Sequence, residues 1–182
     1  MSLETYSGLR GAQPGEPMAD KVAYQRAIGS VQHLVETTRP ECALPTAALA
    51  AFAAAPTKAH WEALLELVGY LGNTAGRGIT YGRKPRTVQF WCDANFAACM
   101  DTRRSTTGWI VAMYGGAVSW SSKKQSTAAA STMEAEYQAC GAAAREGLSL
   151  IKAFKEFALV SSDLSLGGAI EIGCDNKAAL TL

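Results

Sequence analysis

Apolar residues follow two rhythms along this chain, and the rhythm changes near residue 79. Between residues 18 and 76 the spacing is helical in three pieces: one near 19–36, the alanine run 46–55, and a third that starts after Pro56. In that third piece Trp61, Leu64, Leu65, Val68 and Leu71 recur at three- and four-residue steps, which predicts one apolar stripe along a helix. The glycine-rich run GNTAGRG (72–78) ends it. From residue 79 alternation takes over. TVQFWCD (87–93), GWIVAMY (108–114) and AVSWSS (117–122) read as strands, the last two joined at Gly115-Gly116, a two-residue hairpin signal. A long helix is predicted over 131–158, a turn over 164–168 and a fourth strand over AIEIGCD (169–175). This order predicts an α/β fold: an antiparallel three-strand meander and a crossover helix leading to a fourth strand parallel to the first, preceded by a helical segment. Residues 1–17, polar and rich in Gly and Pro, read as a flexible leader, 18–78 as the helical segment and 79–182 as the α/β domain.

Composition narrows the field. The 182 residues suffice for one domain plus a shorter helical piece, and 48% apolar with 18% charged residues excludes a wholly disordered chain. The formal charge of +1 hides an uneven distribution: residues 77–124 carry eight basic against two acidic side chains, while the flanks are net acidic. A basic middle suits either a polyanion or a solvated, loop-rich surface. The five cysteines contain no CxxC pair, and His33 and His60 complete no zinc spacing, so reduced, buried thiols in an intracellular protein are the expectation. Met1 to Lys21 lacks the apolar core of a signal peptide, and the apolar run between Pro45 and Pro56 is far shorter than the ~20 residues that span a bilayer.

Two strands end alike, in Phe90-Trp91-Cys92-Asp93 and Ile172-Gly173-Cys174-Asp175. An Asp at the carboxyl end of a strand in an open α/β sheet lies where such sheets place ligands, although a lone one also serves as a turn or helix cap. The long helix supplies a third carboxylate. At about 100° per residue, Ala139, Cys140, Ala143, Gly147, Leu150 and Ile151 all fall within about 60° of Glu136. Glu134, Arg145, Ser149 and Lys152 gather on the opposite side. A carboxylate in an apolar stripe is costly unless a cation or a proton accompanies it, whereas Glu134 suits an ordinary helix start. Asp93, Glu136 and Asp175 are thus expected to converge, as carboxylates that would bind hard dications such as Mg²⁺.

The motifs CDAN (92–95), DTRRSTTG (101–108), SWSSKKQ (119–125), STMEAEY (131–137) and CDN (174–176) occur here in that order. In this order and spacing the chain resembles the ribonuclease H domain of Ty1/copia-type retrotransposon polyproteins. YQRAIGSVQHLVETTRPECAL (24–44) and PTKAHWEALLELVGYLGNTAGRGITY (56–81) are similar to the connection between reverse transcriptase and that domain. The resemblance covers about residues 22–182 and implies an RNase H-like fold. It also implies that Asp93, Glu136 and Asp175 are catalytic and bind two Mg²⁺ ions (Mn²⁺ as the alternative), hydrolysing the RNA strand of an RNA–DNA hybrid.

Asn95 and Phe96 depart from the family's D-A-D-W, and the family's fourth acidic ligand is expected beyond Leu182. No Y-x-D-D polymerase motif occurs, so DNA synthesis is assigned to an upstream reverse transcriptase domain, the expected partner. Arg103, Arg104, Lys123 and Lys124, with the hydroxyls of Ser105 and Thr106, are the candidate phosphate contacts, and Trp109 and Trp120 are candidates for base stacking or for packing. The alternative to an enzyme is a non-catalytic, transposon-derived module that binds nucleic acid or acts as a scaffold. An integrase of the same fold is disfavoured by the missing zinc ligands and by the SWSSKKQ match.

Overall fold

A computed structural model describes residues 5–6, 8–82, 88–156 and 172–174. The chain divides into two units, the first comprising Met1–Gly78 with Ala98–Arg103, the second Ile79–Ala97 with Arg104–Leu182.

The first unit is helical: α1 (Lys21–Thr38), a 3-10 turn (Pro40–Cys42), α2 (Ala43–Ala50) and α3 (Lys58–Asn73). Asp20 starts α1 by accepting hydrogen bonds from the Val22 and Ala23 amides, and Tyr24, Ile28, Val31 and Val35 bury one face at helical spacing. On α3 the buried set is His60, Ala63, Leu64, Leu67 and Leu71, while Leu65 and Val68 are exposed. The predicted stripe is therefore rotated about the helix axis. Residues 60, 64, 67 and 71 share one narrow arc; Val68 falls on its flank and Leu65 lies farther round the helix. The alanine run is helical only to Ala50, and residues 51–54 form turns before Pro56. Within the stretch read as a flexible leader, Tyr6 is buried in the helical core, Lys58 N donates to Pro17 O at 2.9 Å, and Arg10 pairs with Glu16 at 2.8 Å.

The second unit is the α/β domain. Strands β1 (Gln89–Asn95), β2 (Thr106–Met113) and β3 (Gly116–Lys124) form the antiparallel meander, and β4 (Ile172–Gly173) joins β1 in parallel, giving the order β3-β2-β1-β4. The β2–β3 turn is Tyr114-Gly115, both at positive φ (51° and 80°), one residue earlier than the Gly115-Gly116 pair suggested. Gly116 is already in the ladder opposite Met113, where a Cβ would come within 2.6 Å of the Tyr81 ring. Helix α4 (Thr132–Glu156) crosses the sheet. Its Ala135, Ala139 and Ala143 are fully buried against Cys92 and Ala94 of β1; three methyl-sized side chains let the helix lie close to the strand. The predicted turn at 164–168, the outer part of the fourth strand and Asp175 lie outside the described residues.

Candidate functional site at the carboxyl end of the parallel strands

Alternation along β1 decides what reaches α4. Phe90, Cys92 and Ala94 are buried, while Trp91, Asp93 and Asn95 are exposed. The strand thus presents Cys92 and Ala94 to the helix, and Asp93 projects from the other side of the pleat near the strand's end. Glu136 lies on the sheet-facing side of α4 and is only 4% exposed. It reaches the end of β4, where the Cys174 thiol donates to its Oε2 at 3.9 Å. Asp175, the next residue, is outside the described region, so the meeting of all three carboxylates is not on view. Glu134 has the outward position that the helical wheel assigns: it is exposed, and its carboxylate accepts from the Ala130 amide at 2.7 Å while Ser131 Oγ accepts from the Glu134 amide at 3.1 Å. Those two bonds are a helix N-cap.

Gln125, the last residue of SWSSKKQ, fixes the start of α4. Its backbone amide donates to Ser105 O at 2.8 Å, and its side-chain nitrogen donates to Thr107 Oγ1 and to Ala135 O, each at 2.9 Å. One buried side chain thus ties β2 to the helical turn that carries Glu136.

The basic residues gather at one end of the β2–β3 ladder. Pairing of Thr106 with Lys124 and of Thr107 with Lys123 brings both lysines beside the start of β2, where Arg104 is also exposed. Arg103 is exposed and closes the short segment that belongs with the first unit. Thr106 is half-buried. Ser105 is fully buried, and its hydroxyl accepts from the Ala97 amide at 3.1 Å, which ties the β1–β2 connection. Trp109 packs against the cluster between α4 and β1, which gives it a structural role.

Three thiols complete the site. Cys92 Sγ lies 3.2 Å from Cys140 Sγ, and both, with Cys174 Sγ, fall within 4.8 Å of one another. Burial pushes the Cys92 thiol well above its usual range, and the neighbouring Cys140 thiol adds to the shift.

No protein-family model and no solved structure matches the chain. Curated relatives do. It is 33% identical over 162 residues to the retrovirus-related Pol polyprotein from transposon TNT 1-94 of Nicotiana tabacum, covering 89% of this chain and 12% of that polyprotein. It is 36% identical over 138 residues to the corresponding polyprotein from transposon RE1 of Arabidopsis thaliana (75% and 9%). It is also 38% identical over 128 residues to secreted RxLR effector protein 161 of Plasmopara viticola, covering 70% of this chain and 90% of that protein. Relatives of the chain thus include retrotransposon Pol polyproteins. The chain spans about an eighth of the tobacco polyprotein, and no helix among its described residues is long and apolar enough to cross a membrane. Two features of the site were not singled out from sequence. The thiol cluster had a signal: each strand-end Asp follows a Cys, and Cys140 shares the arc of Glu136. The buried role of Gln125 had none.

Proposed function

We propose that this chain is a ribonuclease H-type hydrolase that cleaves the RNA strand of RNA–DNA hybrids by a two-metal mechanism, as part of a retrotransposon reverse transcriptase. The observation that carries the proposal is Glu136. It is a carboxylate 4% exposed, on the sheet side of α4, near the carboxyl ends of two parallel strands, β1, which carries Asp93, and β4, which Asp175 follows in sequence. An acid in that position is costly in a purely structural role and suits a cation site.

Asp93, Glu136 and Asp175 would offer only carboxylate oxygens, the donors that a hard dication takes. Mg²⁺ held there would activate water and stabilise the leaving oxygen of a phosphodiester. The chain's own residues do the rest. Gln125 holds the first turn of α4, and so Glu136, against β2. Lys123, Lys124 and Arg104 present cations to the hybrid backbone, a contact that positions the substrate without reading sequence. The upstream reverse transcriptase domain would deliver the hybrid, inside the cell in a cytoplasmic particle or the nucleus.

The test is cleavage of a labelled hybrid in Mg²⁺ and in Mn²⁺. Asp93→Asn, Glu136→Gln and Asp175→Asn should each lose at least ~100-fold in rate, whereas Glu134→Gln should stay near the parent. A Glu136→Gln variant as active as its parent overturns the assignment. A parent inactive with both metals favours the second reading, a non-catalytic nucleic-acid-binding or scaffolding module. That reading draws on the Plasmopara relative, nearly all of which this chain matches, so that the shared segment occurs there outside a polyprotein.

A further inference from the structure

We propose that Cys92, Cys140 and Cys174 form a site for a soft, thiophilic dication of the Zn²⁺ class, adjoining the carboxylate site proposed above at Glu136. Their three sulfurs lie within 4.8 Å of one another, with Cys92 and Cys140 at 3.2 Å. Sulfurs ~2.3 Å from a tetrahedral zinc stand about 3.8 Å apart, so the observed spacing brackets the required one.

The fold brings these cysteines together from three separate elements. Parallel pairing of Phe90 with Ile172 and of Trp91 with Gly173 carries Cys92 and Cys174 forward side by side. Successive residues of a strand alternate between faces, and Cys92 is on the face covered by α4. Cys140 comes down from α4 on the stripe that also holds Ala139 and Ala143, four residues after Glu136. The Glu136 carboxylate, 3.9 Å from Cys174 Sγ, stands beside the trio as a fourth, oxygen donor. Cys92 is buried, but Cys140 and Cys174 are partly exposed, which leaves an ion a way in.

Three thiols with one carboxylate select by softness. Thiolates favour Zn²⁺ and Cd²⁺ over Mg²⁺, whereas a set of carboxylates favours the reverse. The cluster would thus take a different metal from the one proposed for Asp93, Glu136 and Asp175, even though Glu136 borders both.

The experiment uses the full chain, reduced with a phosphine and titrated with Co²⁺ in the absence of nucleic acid. Binding is read from the absorbance of the protein, so the result does not depend on ribonuclease activity. One equivalent of Co²⁺ should raise a thiolate-to-metal charge-transfer band in the near ultraviolet, together with visible bands of tetrahedral intensity, and Zn²⁺ should displace both. Cys92→Ala and Cys140→Ala should lose the near-ultraviolet band, Cys99→Ala should keep it, and Glu136→Gln should keep it while altering the visible bands. A measurement on the unaltered chain guards against misfolded variants: Zn²⁺ should slow alkylation of Cys140 and Cys174, mapped by mass spectrometry, and leave Cys99 unaffected. The proposal fails if Co²⁺ raises no charge-transfer band in the parent, if the band survives in Cys140→Ala, or if Zn²⁺ slows Cys99 as much as Cys140.

Discussion

The side-chain amide of Gln125 donates to the Ala135 carbonyl at 2.9 Å, joining the end of the β2–β3 hairpin to the first turns of α4. The residue after Ala135 is Glu136, so the placement of the buried carboxylate depends on a glutamine eleven positions upstream. Removing that amide breaks the bonds to Ala135 and to Thr107 together. We expect Gln125→Ala to lower the unfolding free energy by about 2 kcal/mol, since each lost internal hydrogen bond contributes roughly 1 kcal/mol. Urea unfolding measures this. A loss below a few tenths of a kcal/mol would mean that α4 is placed by its alanine face alone.

Glu134 and Glu136 are separated by one residue and predicted to differ in kind. Glu134→Ala removes the carboxylate that accepts from the Ala130 amide, a capping contribution of about 1 kcal/mol. Its hybrid cleavage should stay within a few-fold of the parent, while Glu136→Gln should lose cleavage. Equal effects of the two on cleavage would sink the division of roles, which thermal unfolding and a rate assay test side by side.

Binding of a hybrid should weaken steeply with salt. Each phosphate contact contributes about −0.9 to the slope of log affinity against log salt on duplex DNA. Neutralising Arg103, Arg104, Lys123 and Lys124 together should make the slope shallower by roughly 3 to 4. Fluorescence anisotropy over a salt series reads it, and an unchanged slope would move the binding face away from this end of the hairpin.

The helical unit should lose stability in mild acid through His60. Its Nδ1 accepts from the Thr57 amide at 2.9 Å, which leaves Nε2–H to donate to Arg10 O at 3.0 Å. The ring is 1% exposed and stacks on Phe52 at 4.1 Å. Burial lowers its pKa below the ordinary value of 6.5. The unfolded chain therefore binds the proton first, and the stabilisation is complete above about pH 6.5 and lost as pH falls through the folded value. The urea midpoint should drop between pH 7.5 and 5.5, and His60→Gln, less stable at pH 7.5, should show a smaller drop. The same drop in both proteins would assign the acid sensitivity to other groups.

Much of this molecule was legible in one dimension. Period-two alternation at 87–93, 108–114 and 117–122 marks three strands, and the arc shared by Glu136, Ala139, Cys140 and Ala143 marks the buried face of α4, because both periods follow from local backbone geometry. The order of these elements yields the mixed sheet β3-β2-β1-β4. What local periodicity does not carry is the set of partners across elements. Leu65 and Val68 obey helical spacing and are exposed nonetheless, since which arc of α3 is covered depends on the helices packed against it. Ser105 stands in a basic, hydroxyl-rich motif and reads as a phosphate contact, yet the β1–β2 connection buries it to satisfy the Ala97 amide. Cys92, Cys140 and Cys174 are separated by dozens of residues and match no metal spacing, and only parallel pairing of β1 with β4 beneath α4 makes them neighbours. Spacing along a chain governs which side chains share a face; packing between faces, which sums many weak contacts over distant segments, decides which side chains meet.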